Sequence, residues 1–183
     1  FMTLINYGNT FLSNVFMQIN GFYNHLCQKA KIIIKLNSMT DITLIEHLYK
    51  AIKSNVEVHL IIRGILTLKL NSDKSNQKLN AISIVDQYLE HARVMIFHNK
   101  GNEKVYISSA DWMVRNLDHR IEVATPIFDT AIKKELIDII NIQLKDNQKA
   151  RVLEADLLNK YVPLSGKKNK SQEETFNYLK RKK

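Results

Sequence analysis

Cysteine is nearly missing from this sequence: Cys27 stands alone among 183 residues. One thiol cannot close an internal disulfide, and it excludes a cysteine-rich metal site. The expectation is a reducing, cytosolic setting. Glycine and proline are also scarce, at five and two residues, so few backbone breaks interrupt the chain. No apolar run approaches the roughly 18–20 residues of a membrane span, and no signal-peptide pattern is visible. The chain starts at Phe1 rather than Met, from which a longer parent protein is expected. What is present suits one compact domain with an extra terminal element, since 45% of the residues are hydrophobic.

The net charge is +9, and +5 of it lies in the last 18 residues, "GKKNKSQEETFNYLKRKK". This basic tail is either a solvated, partly helical end or an attraction for a polyanion such as nucleic acid or polyphosphate.

Periodicity gives the elements. Residues 9–30 predict an amphipathic helix with Phe11, Val15, Phe16, Ile19 and Tyr23 on its apolar stripe. "KIIIKL" (31–36) is a buried strand. A helix follows near 41–54 with Ile42, Ile45, Leu48, Tyr49 and Ile52 inside, and "VEVHLIIRG" is a second strand. This βαβ unit requires parallel strands. Residues 66–81 predict a polar loop, and "ISIVDQYLEH" leads through a short helix to the strand "RVMIFHN". "VYISS" is its hairpin partner, and "RIEVATPI" is one more strand. A helix capped by Asp129 buries Ile132, Leu136, Ile139, Ile140 and Leu144, with weaker helices near 148–159 and 171–182. The fold class is α/β: a mixed sheet flanked by helices on both faces, with a helical C-terminal tail.

In open α/β sheets, ligands bind beyond the carboxyl ends of the parallel strands. The first strand ends Lys35-Leu36-Asn37 and the second ends Arg63-Gly64. Either cation alone is consistent with snorkelling at an exposed edge; together they point to an anion site. Gly64 suits a sharp turn after Arg63. His91 and Arg93 share a face by their even spacing, whereas His98 points the other way, which argues against a His91/His98 metal pair. His25, His47 and His59 read as structural. A histidine beside an arginine suits phosphoryl chemistry. Imidazole can attack or move a proton, and arginine presents a planar fork to phosphate oxygens.

The joint "VYISSADWMVRNLDHRIEV" (105–123) crowds Ser108, Ser109, Asp111, Arg115, Asn116, Asp118, His119, Arg120 and Glu122 between two strands. Asp118 and Glu122 are candidates to orient His91, Arg115 or Arg120, with Ser108, Ser109 and Asn116 as neutral partners. A purely structural ion network is the competing explanation. The expected burial of Arg120 and Glu122 within "HRIEVATPI" requires partners in either case. The order His91-x-Arg93, Ser108-Ser109-x-Asp111, Glu122 is also similar to a degenerate phospholipase D-type motif, with Arg93 for Lys, Ser108 for Gly and Asp111 for Asn.

Longer strings carry a sharper likeness. "AISIVDQYLEHARVMIFHN", "KVYISSADWMVRNLDHRIEVATPIFD", "LNKYVP", "IKLNSMTD", "LIEHLYKA" and "VEVHLIIRG" together resemble the C-terminal catalytic half of bacterial polyphosphate kinase, the histidine-phosphorylating type. The resemblance spans about residues 31–163 and is carried most specifically by "SSADWM-x-RN" followed by "RIEV".

It implies a phospholipase D-like domain over 31–163, after a helical lead-in (1–30) and before a basic helical tail (164–183). It implies reversible transfer of the terminal phosphate of ATP to polyphosphate, with Mg2+ accompanying ATP. It places an ATP-contacting role on Arg63, and on His91 a phosphate contact and proton donor. Lys35, Asn37, Arg93, Ser109, Asp111, Arg115, Asn116 and Glu122 form the supporting set, and no metal ligand is assigned. The phosphorylated histidine and the magnesium contacts are expected in an N-terminal half, which is one partner beside ATP, ADP and polyphosphate. A homo-oligomer in the longer enzyme and a cytoplasmic or membrane-associated location, without a membrane span, complete the expectations.

The chain departs from the family pattern at the loop after Arg63-Gly64, at Lys78 and Asn80, where an Asn-Ile-Arg type segment is usual, and at Gln87, where Arg is frequent. The other classes consistent with the sequence are a phospholipase D-class phosphodiesterase or nuclease and a non-catalytic polyanion-binding module.

Overall fold

The computed structural model describes residues 3–5, 30–69, 78–98, 101, 103–154 and 158–182. Residues 9–29 of the expected helix and residues 70–77 of the expected 66–81 loop lie outside them. Among the described residues, eight strands form one sheet: β1 (Thr3–Ile5), β2 (Lys31–Leu36), β3 (Glu57–Ile62), β4 (Leu79–Ile84), β5 (Val94–Phe97), β6 (Lys104–Ser108), β7 (Glu122–Pro126) and β8 (Ala150–Val152). The helices described with them are α1 (Ile42–Lys53), α2 (Val114–Leu117), α3 (Thr130–Leu144) and α4 (Ser171–Lys180).

The spatial order is β1-β7-β6-β5-β2-β3-β4-β8. β2, β3 and β4 run parallel, and every other pair is antiparallel. The β2-α1-β3 unit forms as its apolar pattern dictates. Strand alternation sends Ile32, Ile34 and Leu36 to one face and Ile33 to the other. On the first face they meet Leu44, Ile45, Leu48, Ala51 and Ile52 of α1. On the second, Ile33, Ile61 and Ile96 meet Leu136, Ile137 and Ile140 of α3. Helices therefore cover both faces.

The caps explain where the long helices begin. Asp41 accepts from Leu44 N at 2.9 Å, and Asp129 accepts from Ala131 N and Ile132 N, each at 2.9 Å. Ile42 follows the first cap directly and is 72% exposed; Leu44 takes its place in the buried stripe. Ile132, in the first turn of α3, is also more than half exposed.

Among the described residues, two expected helices are absent. Residues 85–93 are irregular, and the 148–159 region supplies strand β8. Asp146 accounts for the second change. Its Oδ1 accepts from the backbone N–H of Gln148, Lys149 and Ala150 at 2.7–3.0 Å. This local side-chain bonding turns the chain after α3 and competes with further helix. The chain then pairs along β4. β4 itself begins at Leu79, two residues inside the segment expected to be a loop.

Candidate functional site

Strand direction gathers the site at one sheet edge. β2, β3 and β4 end there, antiparallel β5 starts there, and β6 ends there. Three turns interlock at that edge. After β2, Met39 bridges to both Leu66 and Trp112. Gly64 N donates to Asn37 O at 2.7 Å, and Met39 N donates to Ile65 O at 2.8 Å. Trp112 is fully buried; its carbonyl accepts from Thr40 N and Asp41 N.

Gly64 is needed here for space rather than for a special backbone angle. A Cβ at this position would lie 2.9 Å from Asn37 O and 3.1 Å from Ser38 Oγ. The glycine lets the β3 turn lie against the β2 turn, which differs from the sharp turn expected of it.

Side chains extend the contact. Asn37 is buried, and its Oδ1 accepts from Arg63 Nε at 3.2 Å and Nη2 at 3.1 Å. Its Nδ2 is buried without a partner. Asp111 Oδ1 accepts from Asn37 N at 2.8 Å and Ser38 N at 3.2 Å. Arg93 closes on the same carboxylate, with Nη2 3.1 Å from Oδ2 and Nε 3.1 Å from Oδ1.

The Arg93 guanidinium also meets the His91 ring, with Nη1 3.4 Å from Nδ1 and Nη2 3.3 Å from Nε2. A neutral imidazole has one acceptor nitrogen, so at most one of these approaches is a hydrogen bond accepted by the ring. Arg63, Asn37, Asp111, Arg93 and His91 thus form one connected group, with His91 exposed.

Burial pushes the Asp111 carboxyl upward. Arg93 and the N–H groups of Asn37 and Ser38 outweigh it and hold the acid below its ordinary range. Asp111 therefore stays ionised and fixes both the β2 turn and Arg93.

Glu122 makes a second group. It accepts a short hydrogen bond from Ser109 Oγ and one from Asn116 Nδ2 at 2.6 Å. Ser109 Oγ also accepts from Val123 N at 3.0 Å. Glu122 therefore ties the 105–123 joint together rather than orienting His91. Arg120, Asp118 and His119 are exposed, so Arg120 does not need the buried partner expected for it. Arg115 is exposed on α2 and makes none of these linking contacts. His98 pairs with Glu103 at 3.0 Å and His59 with Glu57 at 2.7 Å; His25 lies outside the described residues. His47, half-buried on α1, is held below its ordinary range, chiefly by burial and then by Lys50.

Lys35 does not snorkel. It is 5% exposed and points to the α3 face, where Nζ lies 2.6 Å from Glu90 Oε2. That same oxygen accepts from Gln143 Nε2 at 2.7 Å, and Glu90 Oε1 accepts from Gln172 Nε2 at 3.1 Å. Glu90, Gln143 and Gln172 were not marked by sequence motifs. The available signal was Lys35: a lysine on the buried side of a strand requires an acid nearby.

The departures Lys78 and Asn80 sit at the start of β4, opposite the amino end of β3. They lie at the far edge of the sheet from His91 and Arg63.

Comparison with known proteins follows the same outline. The family model "Polyphosphate kinase C-terminal domain 2" matches residues 5–173. The chain belongs to the polyphosphate kinase family. It is 47% identical over 150 residues to polyphosphate kinase of Escherichia coli K12, which covers 81% of this chain and 22% of that protein. The crystal structure of polyphosphate kinase from Porphyromonas gingivalis superposes with a TM-score of 0.89 at 37% identity, over 99% of this chain and 28% of that one. The chain thus spans between a fifth and a third of the kinases it matches. Nuc from Salmonella typhimurium, a phospholipase D family member, has a TM-score of 0.57 at 14% identity, over 78% of this chain and 90% of that one. The fold is phospholipase D-like. No helix among the described residues is long and apolar enough to cross a membrane.

Proposed function

We propose that this chain supplies the ATP- and polyphosphate-binding edge of a polyphosphate kinase. The reaction is reversible transfer of the terminal phosphate of ATP to polyphosphate. The observation that carries this reading is the linked group Arg63–Asn37–Asp111–Arg93–His91 at the carboxyl ends of β2 and β3. Arg63 offers the rest of its guanidinium to nonbridging phosphate oxygens, and the unpartnered Asn37 Nδ2 adds a neutral donor beside it. His91 contacts the phosphate and gives a proton to a leaving oxygen. The fixed cations stabilise charge that develops during transfer.

The phosphorylated histidine belongs to the N-terminal half, which is a partner of this edge in a cytoplasmic, homo-oligomeric enzyme. Mg2+ is not expected to take ligands from this group. Asp111 is occupied by Arg93 and two backbone N–H donors, while Glu122 and Glu90 are engaged elsewhere. The metal fits better as an ion carried on ATP.

Calorimetric titration of the chain with Mg-ATP and with tripolyphosphate tests the site. Arg63→Ala removes a charge-assisted contact of roughly 1.5–3 kcal/mol, so affinity should fall about ten- to a hundredfold. In the complete kinase, His91→Ala should slow transfer by roughly 10²–10⁴. Unchanged binding and transfer in both variants would overturn the assignment.

A further inference from the structure

We infer that α4 is a positioning element for His91, acting through Gln172 and Glu90; the inference rests on the phosphate-edge reading above. His91 sits on an irregular segment, 85–93, with neither helix nor strand to fix its backbone. Apolar packing does not fix it either: Val85, Tyr88 and Leu89 are 66%, 67% and 72% exposed. Polar bonds do so instead. The Gln172 amide pairs with the backbone of Tyr88 in both directions, accepting from Tyr88 N at 3.0 Å and donating to Tyr88 O at 2.8 Å. It also donates to Glu90, whose other oxygen is held by Lys35 of β2 and Gln143 of α3. His91 therefore stands between a fixed Glu90 and an Arg93 fixed by Asp111.

The clamp is itself anchored. Ser171 N donates to Asp146 Oδ2 at 2.8 Å, which ties the first residue of α4 to the turn after α3. Asn169 N donates to Asn147 Oδ1 at 2.8 Å, and Lys170 lies 3.7 Å from the buried Asp86 side chain. A side chain that must meet a phosphate in one geometry gains from ordering before the ligand arrives. Released from α4, the 85–93 segment would pay that ordering cost on binding.

The experiment is calorimetric titration of the whole chain with tripolyphosphate, run on wild type, Gln172→Ala, Gln172→Glu, His91→Ala and the Gln172→Ala/His91→Ala double variant. Hydrogen exchange at the Tyr88 amide is followed in parallel. Gln172→Ala should bind about three- to tenfold more weakly and expose the Tyr88 amide to faster exchange. Gln172→Glu should bind no better than Gln172→Ala, because its carboxylate faces Glu90; an acidic residue in the first turn keeps α4 itself favourable. In the His91→Ala background, Gln172→Ala should cost almost nothing further. An undiminished second loss in that background, or wild-type affinity in Gln172→Ala, overturns the positioning role while leaving the phosphate site standing. Wild-type affinity in His91→Ala overturns the His91 phosphate contact and the positioning role together, and Arg63→Ala then decides the rest of the phosphate edge.

Discussion

Asp111 shows how much one residue can carry. Its two oxygens hold the β2 turn and the arginine that lies against His91. Its pKa is lowered by those same partners against the opposing effect of burial, so folding favours the ionised form. The stabilisation is complete above the unfolded carboxylate value of about 3.9 and fades as pH falls through the lower folded value. Acid titration of the folded chain should therefore show a stability loss beginning below about pH 4. Asp111→Asn should flatten part of that loss and lower stability at neutral pH, because Arg93 is left without its carboxylate. Parallel acid-unfolding curves in both proteins would remove Asp111 from this role. The phospholipase D-type reading of the same positions asks for an asparagine at 111; here the acid is bound to a neighbouring arginine, and that pairing could not be read from spacing.

Elements were legible wherever one face had to be buried. β2, α1, β3, the β5–β6 hairpin, β7 and α3 follow from apolar periodicity, because α1 and α3 must cover opposite faces of one sheet. The placement of Arg63 and Asn37 on one edge was also legible, since the direction of the parallel strands decides it; His91 joins them because β5 runs antiparallel to β2. Periodicity was silent where polar side chains set the path. Asp146 bends the chain into β8, and Gln172 holds 85–93 without a helix. Gln172 acts across 84 positions that sequence order does not relate, whereas Asp146 acts locally, through side-chain bonds that apolar periodicity does not register. Gly64 belongs at this scale because it joins two turns rather than shaping one. Gly64→Ala places a carbon 2.9 Å from a backbone oxygen, so the β2 and β3 turns must separate. Overpacking of this kind costs typically 1–3 kcal/mol, and the shift should also loosen the Arg63–Asn37 fork. Denaturant unfolding and tripolyphosphate affinity should both weaken in Gly64→Ala. Retained affinity would show that the fork tolerates the displacement.

For the whole molecule, the question raised by the basic tail is whether its charge or its helix matters. Part of the charge is already matched within the fold. Lys170 meets Asp86 and Glu173, and Lys182 lies 2.8 Å from Glu135 of α3. Tyr178 donates to Asp138 at 2.8 Å, so α4 is docked along α3 and is no loose polyanion arm. Among the described residues, the exposed cations left on this segment are Lys167, Lys168, Lys180 and Arg181. A chain ending at Gly166 loses those charges and the Gln172 clamp at once, so truncation alone cannot tell them apart. Replacing the four exposed cations by glutamine removes charge and keeps α4. That variant should hold tripolyphosphate within about twofold of wild type near 0.15 M salt, where distant exposed charges are screened beyond roughly 8 Å. Its binding should depend less steeply on salt. The truncated chain should bind as weakly as Gln172→Ala or worse at every salt concentration. A glutamine variant as weak as the truncation would make the tail a polyanion contact in its own right. The contrast follows from the geometry: α4 reaches the sheet edge through hydrogen bonds that salt screens little, and its lysines face water.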